Sequence, residues 1–403
     1  MHPLKRRGAS TAASISEPTI DVVGSRCHGF GDAPPVARGD QLLASALLSL
    51  SFISWSLCLP AIPPAAPAGA TADVPLVLDG KRTTRSEVEE QLSAPVREAL
   101  DGWAEAADRL DLDIVLGKGP EHLVLGHARD ETLVESARSM DEAFAVLDPL
   151  VPVAGSRARK ATVAILVDEK FVHSGSWGEL LDELTARQLL VAQAAEYLRG
   201  NPDGVTLRAT PLFLQPTYDL TGEGEFRLPN EVVHKFAQCL LTSRTGQQPP
   251  EILWGLGYVV EQRFFDSSYL YRLREFVYSS SHHDWRREAR KELDSRRKAK
   301  DFSLVPFVID DEAAGKPQPS QLLVWAALTY LCEQRPEALS GLLIELSALQ
   351  AEADPYGAAP TYVGEAGRTR DALAKVFDAI EPGELSDWLG AKPKDKQKVK
   401  SPK

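Results

Sequence analysis

Apolar residues recur at helical spacing over residues 85–110 (RSEVEEQLSAPVREALDGWAEAADRL) and predict an amphipathic helix there. Two short strand candidates follow, at 113–117 and 121–127, and a second helix of period 3.6 covers 131–151. Residues 161–168 (ATVAILVD) are an unbroken apolar run, the pattern of a strand buried on both faces. Helical spacing returns over 178–199. Residues 206–227, rich in Thr, Phe and Leu between Pro and Gly breaks, predict one or two edge strands. From Pro229 to about Leu389 the pattern is almost entirely helical, and no internal repeat is present. The fold class implied is α+β: a small α/β front half with a mixed sheet, then a mostly helical half. The two share one core instead of meeting at a sharp boundary.

Composition narrows the functional classes. The chain has 403 residues, 43% hydrophobic and 25% charged, the proportions of a globular protein. Its formal net charge is −12, and no long basic stretch lies inside the folded region, which argues against nucleic acid as a partner. Beyond the N-terminal region only Cys239 and Cys332 remain, and neither belongs to a CxxC pair, so cysteine-bound metal is not expected. The two either form a disulfide in an oxidising compartment or stay as buried free thiols.

The ends read differently from the middle. Residues 41–72 carry no charge, with an apolar core at Leu42–Ile53, Arg38 before it and Ala70-Thr71-Ala72 after it. This is the order of a signal peptide, and it predicts cleavage after Ala72. The region before the apolar core, about forty residues, is long for such a leader. Either the leader is extended or the true start lies downstream, near Val36. An uncleaved membrane anchor is the alternative, although prolines at 60, 63, 64 and 67 cut the segment short. Lipid attachment at Cys58 is disfavoured by the bulk of Leu57. The expected location is therefore secreted, periplasmic or cell-envelope, with membrane contact only through an uncleaved leader. At the other end, residues 391–403 (AKPKDKQKVKSPK) hold six lysines against one aspartate and read as a disordered, solvated tail, with a weak electrostatic contact to an anionic surface as the alternative.

The chemistry concentrates in residues 228–265, LPNEVVHKFAQCLLTSRTGQQPPEILWGLGYVVEQRFF. Two helices are predicted, one over about 230–243 and one from Pro249-Pro250 to about Phe264, with a Gly-Gln-Gln-Pro-Pro break between. A zinc peptidase of the HExxH type places two His at i and i+4 on one helix face and a Glu after the first His as general base. A third ligand comes from a following helix. The layout here resembles the gluzincin superfamily, in particular the bacterial peptidase-MA-like domains, over about residues 115–390. In those, HExxH precedes a helix of the pattern P-x-W-L-x-E-G-L-A-E-Y. Matched residue by residue, HExxH becomes Asn230-Glu231-Val232-Val233-His234, and Pro250 to Gly257 (PEILWGLG) falls on the second helix.

The resemblance implies Glu231 as a relic general base and His234 as a relic ligand. Asn230 stands at the first ligand position, Trp254 at the third and Tyr258 at a later family Glu. An Asn amide brings neither charge nor much basicity, and Trp has no usable lone pair. No cofactor is therefore expected, and the three non-ligand positions would line a relic cleft. Glu261 lies two turns beyond Trp254, about 10 Å away, and Glu251 nearly a turn the other way, so neither replaces the lost Glu without a register shift. The implied domains are a leader at 1–72, a helical lead-in at 73–112, an α/β subdomain at 113–228, a helical gluzincin-like, zincin-like subdomain at 229–390 and the tail.

The functional expectation is an exported, catalytically inactive metallopeptidase-like protein that binds a peptide or protein, or acts as an envelope scaffold. The alternative is an active zinc peptidase with an atypical site of Glu231, His234 and a carboxylate such as Glu261. A third reading takes the motif as accidental: Glu231 favoured by the helix dipole, His234 a partly buried hydrogen-bonded residue, and Trp254 and Tyr258 core aromatics. Other candidates carry less. Adjacent His282 and His283 point apart on a helix, 286–300 reads as a charged solvated helix surface, and 174–178 (SGSWG) lacks the spacing of a nucleophile elbow.

Overall fold

A first hairpin is set by Asp79-Gly80, both at positive φ (53° and 80°), between β1 (Pro75–Leu78) and β2 (Lys81–Thr84). The structure, a computed structural model, describes residues 74–155, 157–207, 210–219, 227–265, 284–298, 302–305, 321–349 and 366–391. The leader, His282-His283 and the tail beyond Ala391 lie outside the described residues. The lead-in expected to be helical thus begins with two strands, a correction whose signal is the two-residue Asp-Gly turn.

The chain then forms α1 (Arg85–Val88), a 3₁₀ turn, and α2 (Ala94–Arg109), where one continuous helix was expected. Ser93 caps a fresh helix by accepting from Val96 N–H, and Pro95 cannot continue an earlier one. Strands β3 (Asp113–Leu116) and β4 (His122–His127) pair antiparallel, α3 spans Asp130–Leu147, and β5 (Thr162–Val167) is buried at every position. The expected 178–199 helix is two, α5 (Gly175–Ala186) and α6 (Ala192–Gly200), after a short α4 (Glu169–His173). Gln188 at φ 59° ends α5, and Leu184 O accepts from Leu189 and Leu190 N–H.

Strands β6 (Val205–Leu207) and β7 (Leu212–Pro216) complete a seven-stranded mixed sheet of order β2-β1-β3-β4-β5-β7-β6. Parallel pairs are β1/β3, β4/β5 and β5/β7; the rest are antiparallel. Of these last two strands only β6 is an edge. β7 is interior and wholly buried, which corrects its reading as an edge strand.

The helical half comprises α7 (Leu228–Thr245), α8 (Pro250–Phe265), α9 (Trp285–Arg296), α10 (Gln321–Gln334), α11 (Pro336–Ala348), α12 (Ala366–Phe377) and α13 (Pro382–Gly390). No helix among the described residues is long and apolar enough to cross a membrane. One continuous core joins Val115, Val124, Ala164 and Phe213 of the sheet to Phe236, Leu256, Leu328 and Leu343 of the helices. Cys239 and Cys332 are free thiols with no bridge between them, Cys239 buried in this core and Cys332 partly buried.

Helix α7 lies at the centre, in contact with α3, β5, β6, β7, α8 and α11. Every residue from Asn230 to Thr245 is buried, polar ones included. At its last turn Arg244, 1% exposed, reaches across to the sheet. Its Nε and Nη2 donate to the two oxygens of Glu121 at 3.0 and 2.9 Å, Nη2 also to Asp148 Oδ1 at 2.6 Å, and Nη1 to Val151 O at 2.9 Å. Burial alone would push the Arg244 pKa down, but the hydrogen bonds and charges of Glu121 and Asp148 outweigh it and the pKa rises. Arg244→Met would leave Glu121, 1% exposed, with only Arg159 Nη1 at 2.9 Å. It is expected to cost about 3–5 kcal/mol in urea unfolding, with part restored by adding Glu121→Gln.

Candidate functional site

The helix pair α7 and α8 forms where the sequence placed it. Pro229 sits in the first turn of α7, Glu231 adds negative charge there, and Gly246 at φ 75° ends the helix with its N–H on Thr242 O at 2.8 Å. Residues 246–249 turn the chain back, and Pro250 opens α8 antiparallel to α7.

This short connection decides which residues face one another. His234 Nδ1 lies 2.7 Å from Glu261 Oε1, and Asn230 Nδ2 donates to Glu261 Oε2 at 3.0 Å. Residues 230, 234 and 261 therefore converge, which corrects the assignment of Trp254 to the place opposite His234. Trp254 is buried seven residues earlier on α8, about 10 Å along the helix, and Glu251 about 15 Å from Glu261. Tyr258 does meet the imidazole, with ring centroids 5.1 Å apart, and continues through Trp285 (5.8 Å) to Trp325 (5.3 Å).

The hydrogen-bond directions fix the tautomer of His234. Gln238 Oε1 accepts from Thr206 Oγ1 at 3.2 Å, so its amide N–H faces His234 Nε2 at 2.9 Å. Nε2 accepts, and Nδ1–H donates to Glu261. A chain thus runs from β6 through α7 to α8: Thr206, Gln238, His234, Glu261, with Asn230 joining at the carboxylate. Burial pushes the His234 pKa down to about 3, the Lys235 ammonium acts the same way, and Glu231 opposes both. Lys235 Nζ stands 3.6 Å from Glu231 Oε2 and donates to Gly204 O at 3.3 Å. Glu231 is thus an ion-pair partner one turn away from the imidazole–carboxylate contact. Asn230, Glu231, His234, Lys235, Gln238 and Glu261 are all buried.

The donor set does not fit a catalytic zinc. Such a site takes three protein ligands with usable lone pairs and one open position. Here one imidazole and one carboxylate are present, the imidazole has both nitrogens engaged, and the third place holds an amide that donates to the carboxylate. Among the described residues no group of three or more His, Cys, Asp or Glu side chains could hold a metal ion.

A second polar cluster at the carboxyl ends of β4, β5 and β7 was not singled out in the sequence. His127 Nδ1 lies 3.0 Å from Asp168 Oδ1, which also caps α4 by accepting from Phe171 N–H at 2.9 Å. Nearby, burial, Glu169 and Asp168 raise the pKa of Tyr218. The signal was the Asp that ends the apolar run at 161–168, at the strand end where α/β sheets gather polar groups. Its geometry is that of a helix cap. No protein-family model matches this chain, and no curated protein matches it.

The site generates two expected outcomes. Gly257 lies so close to the imidazole that an added Cβ would sit 2.5 Å from His234 Cε1 and Nδ1. Gly257→Ala is expected to cost about 1–3 kcal/mol in urea unfolding, and much less when His234 is already Ala. The low folded pKa of His234 means that the unfolded chain takes up a proton below about pH 6.5 while the folded chain does not. Its share of stability is therefore complete above pH 6.5 and falls by about 1.4 kcal/mol per pH unit towards pH 3. In unfolding measured at pH 7, 6 and 5, His234→Gln should flatten that slope.

Proposed function

We propose that this chain is an exported, non-catalytic relative of the peptidase-MA-like gluzincins. It binds a peptide or protein, or acts as a cell-envelope scaffold, with the helix pair as its rigid centre. The observation that supports the reading best is the engagement of both His234 nitrogens, by Glu261 and by Gln238, beside an Asn at the first ligand position. An imidazole used in this way offers no lone pair to a metal, and Glu231 one turn away pairs with Lys235. The leader read at residues 41–72 supports export.

A second reading is favoured by one specific observation. Glu261 meets His234 and Asn230 at the place where ligands from two helices would converge, so an atypical site of Glu231, His234 and Glu261 is the alternative, in an active zinc peptidase. Elemental analysis separates the two. After equilibration with excess zinc and desalting, the wild-type chain is expected to hold substoichiometric zinc and to leave casein intact. Asn230→His, which completes a His–His–Glu set, is expected to gain zinc. Stoichiometric zinc in the wild type, lost in His234→Ala and accompanied by casein cleavage, would overturn the non-catalytic reading.

A further inference from the structure

The parallel strands β4, β5 and β7 end side by side. Asp168 N–H donates to His127 O at 2.7 Å, and Thr217 N–H to Val167 O at 2.8 Å. Ligand sites of α/β sheets gather outside such carboxyl ends. Here the ends carry His127 and Asp168, 34% and 33% exposed. Asp168 Oδ1 accepts from Phe171 N–H at 2.9 Å and stands 3.0 Å from His127 Nδ1. The helix cap thus fixes the carboxylate, and the carboxylate fixes the neutral ring with its proton on Nδ1. The lone pair then lies on Nε2, which has no hydrogen-bond partner among the described residues.

An imidazole oriented by a carboxylate, with Nε2 open to solvent, has the arrangement of a general base. The Phe171 ring, its centroid 5.5 Å from that of the imidazole, gives an apolar wall. Helix α3 begins at Asp130, directly after the short turn that follows His127, and its N-cap Arg129 makes no side-chain bond to the first turn. The N–H groups of that turn have no acceptor within the helix. Gly126 lets the turn close on the sheet, since an added Cβ would lie 2.3 Å from Leu133 Cδ2 and 2.8 Å from Leu166 O. Asp130, Glu131 and Glu169 are exposed carboxylates on the two adjoining helices, so an uncharged substrate is favoured over an anion.

We propose that His127 and Asp168 form a site that hydrolyses small uncharged carboxylic esters, with His127 as general base and Asp168 as its positioning residue. Nε2 of His127 takes a proton from water as the water oxygen bonds to the ester carbonyl carbon. The carbonyl electrons move to the carbonyl oxygen, which the first-turn N–H groups of α3 receive. The tetrahedral species collapses, the C–O bond to the alcohol breaks, and the proton on Nε2 passes to the leaving oxygen. Water and ester give acid and alcohol, with no further reactant. Esters are favoured over amides because an alcohol leaves more readily than an amine. The non-catalytic reading concerns the relic zinc centre of α7 and α8. This site shares no residue with that pair and stands or falls without it.

The test is hydrolysis of p-nitrophenyl acetate by the full chain in the presence of EDTA, followed over several turnovers. The wild type should exceed free imidazole at equal concentration by about tenfold or more, and His127→Gln should lose that excess. Asp168→Asn keeps an oxygen for the bonds to Phe171 and His127 and removes only the charge that steadies the imidazolium. It should lower kcat several-fold, with KM and the melting temperature unchanged. His173→Gln, which removes an exposed imidazole at the end of α4, should leave the rate as it is. Turnover no faster than free imidazole, or a rate that His127→Gln retains, overturns the proposal. Turnover seen only when EDTA is left out also overturns it, and assigns the activity to a bound metal.

Discussion

The structure depends on charge matching along one fully buried helix. α7 carries Glu231, His234, Lys235, Gln238 and Arg244 with no face open to water, and a buried charge without a partner costs several kcal/mol. Glu231 pairs with Lys235 one turn along the same helix, and the other four are met from elsewhere in the fold. Arg244 takes Glu121 at the start of β4 and Asp148 after α3, Lys235 takes the backbone before β6, Gln238 takes Thr206 on β6, and His234 takes Glu261 on α8. Apolar packing alone would tolerate a helix shifted by a turn. These pairs would not, and they hold sheet and helices in one register.

This explains why part of the molecule was legible in the sequence and part was not. Buried strands such as 162–167 and the helix pair around Gly246 declare themselves through local patterns: apolar runs, turn residues, prolines at helix starts. The breaks at Ser93-Pro95 and at Gln188 interrupt apolar spacings that continue across them, so periodicity reads straight through. The position of β7 inside the sheet is a non-local fact, since strand order depends on packing that no short window contains. Asp79-Gly80 was a readable hairpin signal that lay outside the helix-centred reading.

The site shows the same division more sharply. Asn230, Glu231 and His234 fall at fixed spacings on one helix, and sequence suffices to place them together. The residue opposite His234 depends on the register between two helices, which the length of the 246–249 connection sets. A motif match counted along α8 chose Trp254, whereas the antiparallel hairpin chose Glu261. The difference alters the chemistry of the site: His234 faces a carboxylate in direct contact, whose other oxygen accepts from Asn230, where the motif match placed an indole.

The Arg244–Glu121 clasp has a consequence for how the fold comes apart. It joins the last turn of the central helix to the strand that runs through the middle of the sheet, so neither half has a surface it could expose while the other stays folded. Unfolding should proceed in one cooperative step, with the amide protons of α7 exchanging only in molecules that have opened completely.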